Sequence, residues 1–437
     1  MTPRTLITRS RPVAAPAADR RRAWLVTAMI VAFMVVNYAD KSVLGLAAVP
    51  VMTELGLSNS TYGLISSSFF FLFSVAGLLV GFLSTRISSR VLLFVMTVLW
   101  AVAQLPVLLV ASVPTLMAGR ILLGAAEGPA ASMSMHALYK WFPPERRAFP
   151  SALQIGGAAL GTLIAAPFVT WLIDGFGWRS AYAVLAVVSA VWALLWWRVG
   201  HDGPYDHART ADGPGGLRLP YRKILLTGTV LGSIASALGA QWALSLSHAW
   251  LPAYFRTQLG MSAAASATAI SVVSGFGLVL LLGVSPFVDA LKSRGVSSRW
   301  SSGAAQSVAV GLAGCAMTAF PFVDATGPRL VLVACAFGGT AVAIPLHYMT
   351  TAEVVPPAQR GAVFGIVAGV GTLPGLVAPF LTGHLIDTAQ TPAAGYTTAF
   401  VAAGAVMLTA GAFALTAIRP ERDARRLAHE AGSRPPA

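Results

Sequence analysis

Twelve long apolar stretches run through this sequence and leave little polar chain between them. Each has about 20 residues or more, enough for an α-helix to cross a hydrocarbon core of about 30 Å. Only 11% of the residues are charged, against about 25% in soluble domains, and the period-two alternation of a β-barrel is absent. We therefore predict an all-α membrane protein with twelve spans: 23–52, 61–83, 91–111, 114–139, 150–173, 179–198, 223–254, 263–288, 300–320, 328–351, 361–385 and 395–418.

Basic residues are distributed unevenly over the loops. With both termini on one side, 25 of the 30 Lys and Arg residues fall on that side and three (Arg179, Arg256 and Arg329) on the other. Cytoplasmic loops carry the basic excess in membrane proteins, so we predict cytoplasmic termini. Arg greatly outnumbers Lys, which indicates a bacterial source and hence the inner membrane. The cytoplasmic loops then account for the net charge of +14, and we expect no nucleic-acid partner.

The two halves of the chain resemble each other. WFPPERRA at 141–148 is echoed by VVPPAQRGA at 354–362, and PFVTWLID at 167–174 by PFLTGHLID at 379–387, both at an offset of about 213 residues. Two parallel six-helix halves place a substrate site between them near the bilayer midplane. The predicted organisation is a disordered basic leader (1–22), an N-terminal half (23–198), a cytoplasmic linker (199–222), a C-terminal half (223–418) and a cytoplasmic tail (419–437).

Three motifs carry a family resemblance: NYADKSVLGLA at 37–47, GRILLGAAEGP at 119–129 and WFPPERRA at 141–148. With the twelve spans and the repeat, the chain resembles the major facilitator superfamily and, within it, the anion:cation symporters. That family includes sugar-acid and aromatic-acid permeases and the vesicular glutamate and sialic acid carriers. The resemblance implies protonation of acidic residues coupled to anion uptake. The family usually has Arg where this chain has Lys41.

Four charged residues interrupt the apolar spans, and a charge at mid-bilayer costs roughly 2.5–3.5 kcal/mol on insertion scales. Lys41 and Arg120 are expected to bind an anionic substrate, and Asp40 and Glu127 to carry protons. Burial favours the protonated form of a carboxyl group and a nearby base favours the ionised form, so a group between these influences can load and release a proton. The competing interpretation is a structural pair of Asp40 with Arg120.

Weaker polar signals complete the predicted site. Five further residues are candidates for substrate binding, although an interhelical hydrogen bond is the competing explanation for the amide and imidazole groups among them: Asn37, Tyr38, Gln154, Gln241 and His347. Six charged residues at the predicted cytoplasmic ends are candidates for a gate that clasps the halves: Arg86, Arg90, Asp289, Arg294, Glu353 and Arg360. The family's acidic position in the first gate loop is Thr85 here.

We therefore predict a secondary active transporter for proton-coupled uptake of a small organic anion by alternating access. The alternative is a proton-coupled exporter of drugs or metabolites with the same fold, although span 5 (GGAALGTLIAAP) lacks the Gly-Pro pair common in exporters. A third alternative is a sensor or receptor that has a transporter fold but does not transport. An appended regulatory domain would support this alternative. No P-loop, metal cluster or nucleophile elbow is present, so neither an enzyme nor a cofactor is expected. The expected partners are the anion, protons and lipid, and the expected state is a monomer.

Overall fold

Helices make up the regular structure of the residues that the computed structural model describes, which are 17–84, 86–143, 146–205, 219–356 and 359–432. They form two six-span halves, which confirms the predicted fold class. The N-terminal half contains α1 (Ala17–Leu46), α2 (Ala48–Leu55), α3 (Asn59–Ser68), α4 (Phe73–Leu83), α5 (Ser89–Leu109), α6 (Val113–Glu127), α7 (Ala130–Tyr139), α8 (Ala148–Phe176) and α9 (Trp178–Val199).

The C-terminal half begins after the linker and ends in a short amphipathic helix. It contains α10 (Tyr221–Leu225), α11 (Gly228–Ala249), α12 (Leu251–Thr257), α13 (Ala263–Ser293), α14 (Ala304–Ala319), α15 (Thr326–Gly338), α16 (Ala343–Val354), α17 (Arg360–Gly371), α18 (Pro374–Thr388), α19 (Pro392–Ala417) and α20 (Pro420–Gly432).

The outer segments differ in part from the predicted organisation. Helix α1 begins at Ala17, so residues 17–22 are helical and do not belong to a disordered leader; residues 1–16 lie outside the described part of the chain. Residues 206–218 of the linker and 433–437 of the tail also lie outside it. The described part of the tail is helix α20, whose Leu427 is buried against the C-terminal half.

Eleven segments of the described chain are long and apolar enough to cross a membrane. The predicted span at 114–139 is not among them, and it is divided into α6 and α7, of 15 and 10 residues. Pro129 lies at the break, and it cannot continue the hydrogen-bond ladder of α6 because proline has no backbone N–H. The two helices together still cover the length of the predicted span.

The break in α6–α7 lies against a second break between α3 and α4. A Cβ atom at Gly124 would collide with the backbone oxygen of Phe69, and one at Gly128 would collide with that of Phe73. Only glycine allows the backbones to approach this closely, as in other membrane helix interfaces. Glu127, the last residue of α6, is therefore held between two backbone contacts, and the break determines where its carboxylate lies.

Gly124→Ala tests this close approach. We expect the added methyl group to force α6 away from Phe69 and to destabilise the protein by about 1–3 kcal/mol, the usual range for overpacking. The measurement is the melting temperature of the purified protein in detergent. Gly156→Ala in α8 is the matched control, because a Cβ there would meet no described heavy atom within 4 Å. A Gly124→Ala variant as stable as this control would contradict the packing argument.

Candidate functional site

Lys41 and Glu127 form an ion pair between α1 and α6 inside the N-terminal half. The Lys41 Nζ atom lies 3.5 Å from Glu127 Oε2, and the Glu127 side chain is fully shielded from solvent. Lys41 also donates a 2.7 Å hydrogen bond to Asn37 Oδ1, one helical turn earlier. The i, i+4 spacing of Asn37 and Lys41 places both side chains on one face of α1. The Lys41 charge therefore has two partners, the Glu127 carboxylate and the Asn37 amide oxygen.

Aromatic rings surround the same ammonium group. Lys41 Nζ lies 4.4 Å from the ring centre of Tyr38 and 5.7 Å from that of Phe73. The Tyr38 ring in turn lies 6.3 Å from the ring of His248 on α11. A desolvated cation gains about 2 kcal/mol or more from such a ring contact. The Lys41 side chain thus faces the boundary between the two halves, where His248 approaches from the C-terminal half.

Asp40 points away from Lys41 toward α5. Its carboxylate is fully buried, and Oδ1 accepts a 2.9 Å hydrogen bond from Gln104 Nε2. The two neighbouring residues therefore lie on different faces of α1, as the 100° step of a helix requires. The alternative of an Asp40–Arg120 structural pair is not among the ion pairs of the described residues; the pair that links α1 to α6 is Lys41–Glu127.

Arg120 is the least satisfied base of the cluster. Its guanidinium lies 4.6 Å from the ring centre of Phe69, and the residue is 7% exposed. The Nε and Nη1 atoms are buried and have no hydrogen-bond acceptor among the described residues. A buried donor without an acceptor costs about 1–3 kcal/mol, and more for a charged group. This site can therefore accept an anionic oxygen without first breaking a hydrogen bond at these two nitrogens.

The weaker candidates have separate surroundings. Gln154 donates a 2.9 Å hydrogen bond to Ser134 Oγ on α7, which matches the interhelical alternative. Gln241 donates at 3.3 Å to Ser245 on its own helix. The ring of His347 is buried and packs 4.3 Å from that of Tyr348. No described hydrogen bond joins these three side chains to the Lys41–Glu127 pair.

The predicted gate residues make contacts within their own halves. Arg90 donates to the Trp197 carbonyl oxygen and lies over the Trp197 ring, and Glu353 pairs with Lys292 at 2.6 Å. Arg360 donates to the Val355 carbonyl oxygen at 3.3 Å. Three gate residues are exposed, namely Arg86, Asp289 and Arg294. Thr85 lies outside the described residues.

No ion pair found among the described residues joins the N-terminal half to the C-terminal half. The clasp between the halves thus remains a prediction for another conformation.

The opposite end of the molecule is closed between the halves. Asp387 on α18 accepts four hydrogen bonds of 2.5–3.1 Å from the backbone and side chains of Asn59 and Ser60 at the beginning of α3. Further along the same interface, Ser67 Oγ accepts from the Phe380 N–H at 3.2 Å. This contact between α3 and α18 was not predicted. Its signal was present, since Asp387 ends the repeated PFLTGHLID segment.

The family model for the major facilitator superfamily matches residues 30–346, well over half of the chain. The chain belongs to the major facilitator superfamily. Its members are transporters and not enzymes, so this protein is a multi-pass membrane transporter, as predicted. The match ends within α16, although the superfamily fold continues through α19.

Curated relatives agree with the resemblance to the anion:cation symporters. The hexuronate transporter of Bacillus subtilis is 28% identical over 404 residues, covering 88% of this chain and 92% of the relative. A probable sulfoacetate transporter of Cupriavidus necator is 26% identical, covering 88% and 91%. The D-galactonate transporter of Escherichia coli O6:H1 is 25% identical, covering 86% and 91%. All three relatives are named for anionic substrates.

Solved structures share the fold of this superfamily member at lower identity. The D-xylose–proton symporter has a TM-score of 0.74 at 16% identity, covering 92% of this chain and 99% of that chain. A bacterial homologue of the human lysosomal transporter Spinster has a TM-score of 0.72 at 15% identity, covering 95% and 99%. At these identities the likeness concerns the fold alone.

Asp387→Asn tests the closure of this transporter at the α3–α18 contact. An asparagine keeps one acceptor oxygen where the carboxylate has two, so the contact loses part of its charge-assisted hydrogen bonds. We expect the distance between spin labels at Thr53 and Gln390 to shift toward longer values. Asp174→Asn is the matched control. Asp174 is the residue that corresponds to Asp387 in the sequence repeat, it is exposed, and none of the hydrogen bonds described for α8 involves its side chain.

The measurement is double electron–electron resonance on a background in which Cys315 and Cys335 are replaced by serine. An unchanged distance distribution in Asp387→Asn would show that the four hydrogen bonds do not hold this end closed. A shift of the same size in Asp174→Asn would show that the loss of any carboxylate at this end, and not the α3–α18 contact, causes the opening.

Proposed function

We propose that this transporter carries a small organic anion together with protons by alternating access, with a carboxylate such as a sugar acid, hydroxy acid or aromatic acid as substrate. The observation that carries the proposal is Arg120, whose buried Nε and Nη1 atoms have no acceptor in the described structure. A guanidinium presents donors in a planar fork that matches a carboxylate. An incoming anion would satisfy these donors within the bundle.

Lys41 supplies the second positive charge, and its partner supplies the coupling. When Glu127 is ionised, it holds Lys41 at 3.5 Å. When Glu127 is protonated, the attraction is lost and Lys41 is free to turn toward the anion that Arg120 binds. The anion and the Glu127 carboxylate therefore compete for one ammonium group. This competition makes proton loading favour anion binding and proton release favour anion release.

The names of the relatives support an anionic substrate class. Hexuronate and galactonate are carboxylates, whereas sulfoacetate carries both a carboxylate and a sulfonate. Two cationic side chains in one interior region suit all of these chemistries. The remaining predicted contacts, from Asn37, Tyr38, Gln154, Gln241 and His347, would select among them through the neutral part of the substrate.

We infer the orientation of the protein in the membrane from its charge distribution. We assign the basic loops and both termini to the cytoplasm of a bacterial inner membrane, which places the Asp387 contact on the outer side and the exposed Arg86 on the cytoplasmic side. The closed α3–α18 contact then corresponds to a state that opens inward. Apart from residues 17–22, which belong to α1, we propose the predicted domain boundaries for a monomer that works through movement of its two halves.

Glu127→Gln tests the coupling. The amide cannot release a proton, so we expect accumulation driven by a pH gradient to be lost, while exchange of labelled for unlabelled substrate continues. The measurement is uptake of a labelled hexuronate or D-galactonate into proteoliposomes. Glu54→Gln, the same change outside the predicted spans, is the control and is expected to accumulate substrate normally. Full gradient-driven accumulation by Glu127→Gln would refute the proton role.

Arg120→Lys tests anion recognition with the charge retained. Lysine lacks the fork, so at least one charge-assisted hydrogen bond of about 1.5–3 kcal/mol is lost. This corresponds to an increase in KM of roughly tenfold or more. Arg198→Lys, an exposed position at the end of α9, serves as the control for the same exchange measured in the same vesicles. An unchanged KM in Arg120→Lys would remove Arg120 from the substrate site.

A further inference from the structure

Asp40 and Gln104 each keep one buried oxygen without a hydrogen-bond donor. Gln104 Nε2 donates to Asp40 Oδ1 at 2.9 Å. The other oxygens of the two groups, Asp40 Oδ2 and Gln104 Oε1, are buried and have no hydrogen-bond partner among the described residues. Both residues are almost fully enclosed, at 0% and 2% exposure. Both of these oxygens are acceptors, so they cannot form a hydrogen bond with each other. While Asp40 is an ionised carboxylate, each of the two groups therefore lacks one hydrogen bond.

One proton would complete it. A protonated carboxyl group has one O–H donor and one carbonyl acceptor, and a carboxamide has N–H donors and one carbonyl acceptor. The two groups can therefore form two parallel hydrogen bonds, Nε2–H to Oδ1 and Oδ2–H to Oε1. A carboxylate can form only the first of these. Partners that satisfy only the protonated form of a carboxyl group favour that form.

The backbone keeps Gln104 in place for this pairing. A Cβ at Gly119 of α6 would lie 2.6 Å from the carbonyl oxygen of Ala103, so α5 and α6 are in close contact one residue before Gln104. The neighbouring Trp100 is fully buried on the same helix. The backbone that carries Gln104 is therefore fixed against α6, and the Gln104 side chain is itself buried.

We propose that Asp40 and Gln104 together form a proton-binding site, in which Gln104 is a positioning residue that holds the protonated carboxyl group through two hydrogen bonds. This proposal rests on the proposed function, because it gives Asp40, which the sequence predicts to carry a proton, a role in the proton-coupled transport proposed above. The charged groups that act on Asp40 are Lys41 on α1 and Arg120 and Glu127 on α6. The two bases favour the ionised carboxylate, whereas Glu127 favours its protonation. The hydrogen bond proposed here from Oδ2–H to Gln104 Oε1 exists only in the protonated form.

The two proton sites then differ in kind. Proton release from Glu127 restores an ion pair with Lys41, so it changes the charge available to the substrate. Proton release from Asp40 leaves a buried carboxylate beside the neutral Gln104 amide. It does not change which partner Lys41 is paired with. The Asp40 site therefore binds a proton without competing directly for Lys41. The charge state of Asp40 affects the substrate only through long-range electrostatic interaction.

Asp40→Asn tests the pairing, because an asparagine reproduces the donor and acceptor of the protonated carboxyl group. We expect purified Asp40→Asn to melt at a higher temperature than the wild type at pH 8. This difference should shrink as the pH falls, because the wild-type carboxyl group becomes protonated. In the double variant with Gln104→Met the gain from Asp40→Asn should disappear, since methionine has no amide. Asp174→Asn, an exposed change of the same type, should show no such pH dependence.

The outcomes separate the pairing from the transport role. A stability gain that persists with Gln104→Met, or an Asp40→Asn variant less stable than the wild type at every pH, overturns the pairing. If Gln104→Met does not fold, the pH series of Asp40→Asn against the wild type decides alone. Proteoliposome uptake provides the second readout. Gradient-driven accumulation by Asp40→Asn would refute the proton role of Asp40 in the proposed function, even with the pairing intact.

Discussion

The contact between Lys41 and Glu127 is the interaction on which the rest of the central site depends. Removing either charge from water is expensive, and breaking a buried pair by removing one partner typically costs about 3–5 kcal/mol. The protein meets this constraint through its backbone. Gly124 and Gly128 let α6 approach the break between α3 and α4, and the helix ends at Glu127. The carboxylate is thereby brought within 3.5 Å of the ammonium group.

The same constraint relates the centre of the protein to its ends. The α3–α4 break that receives Gly124 belongs to the helix pair whose first residues bind Asp387. A change in the charge state of the centre can therefore act on the closed end through α3, because both contacts involve the same short helix. Arg90, Glu353 and Arg360 make contacts inside their own halves at the other end.

Much of the fold and the chemistry of the centre could be predicted from sequence, because hydropathy, charge and repetition act over long stretches. The four interior charges were identified as Asp40, Lys41, Arg120 and Glu127. The pairing did not follow, since it depends on the break at Gly128 and Pro129 within an apolar run that hydropathy reads as continuous. Gln104 was missed because one glutamine in an apolar span carries no signal until its partner is known.

The central claim is that an anion displaces Glu127 from Lys41 as Glu127 gains a proton. Calorimetric titration of the purified protein with D-galactonate or a hexuronate, in two buffers with different ionisation enthalpies, counts the protons taken up on binding. The account predicts proton uptake by the wild type near neutral pH and a smaller uptake by Glu127→Gln. Binding without proton uptake, or equal uptake by both proteins, would contradict it.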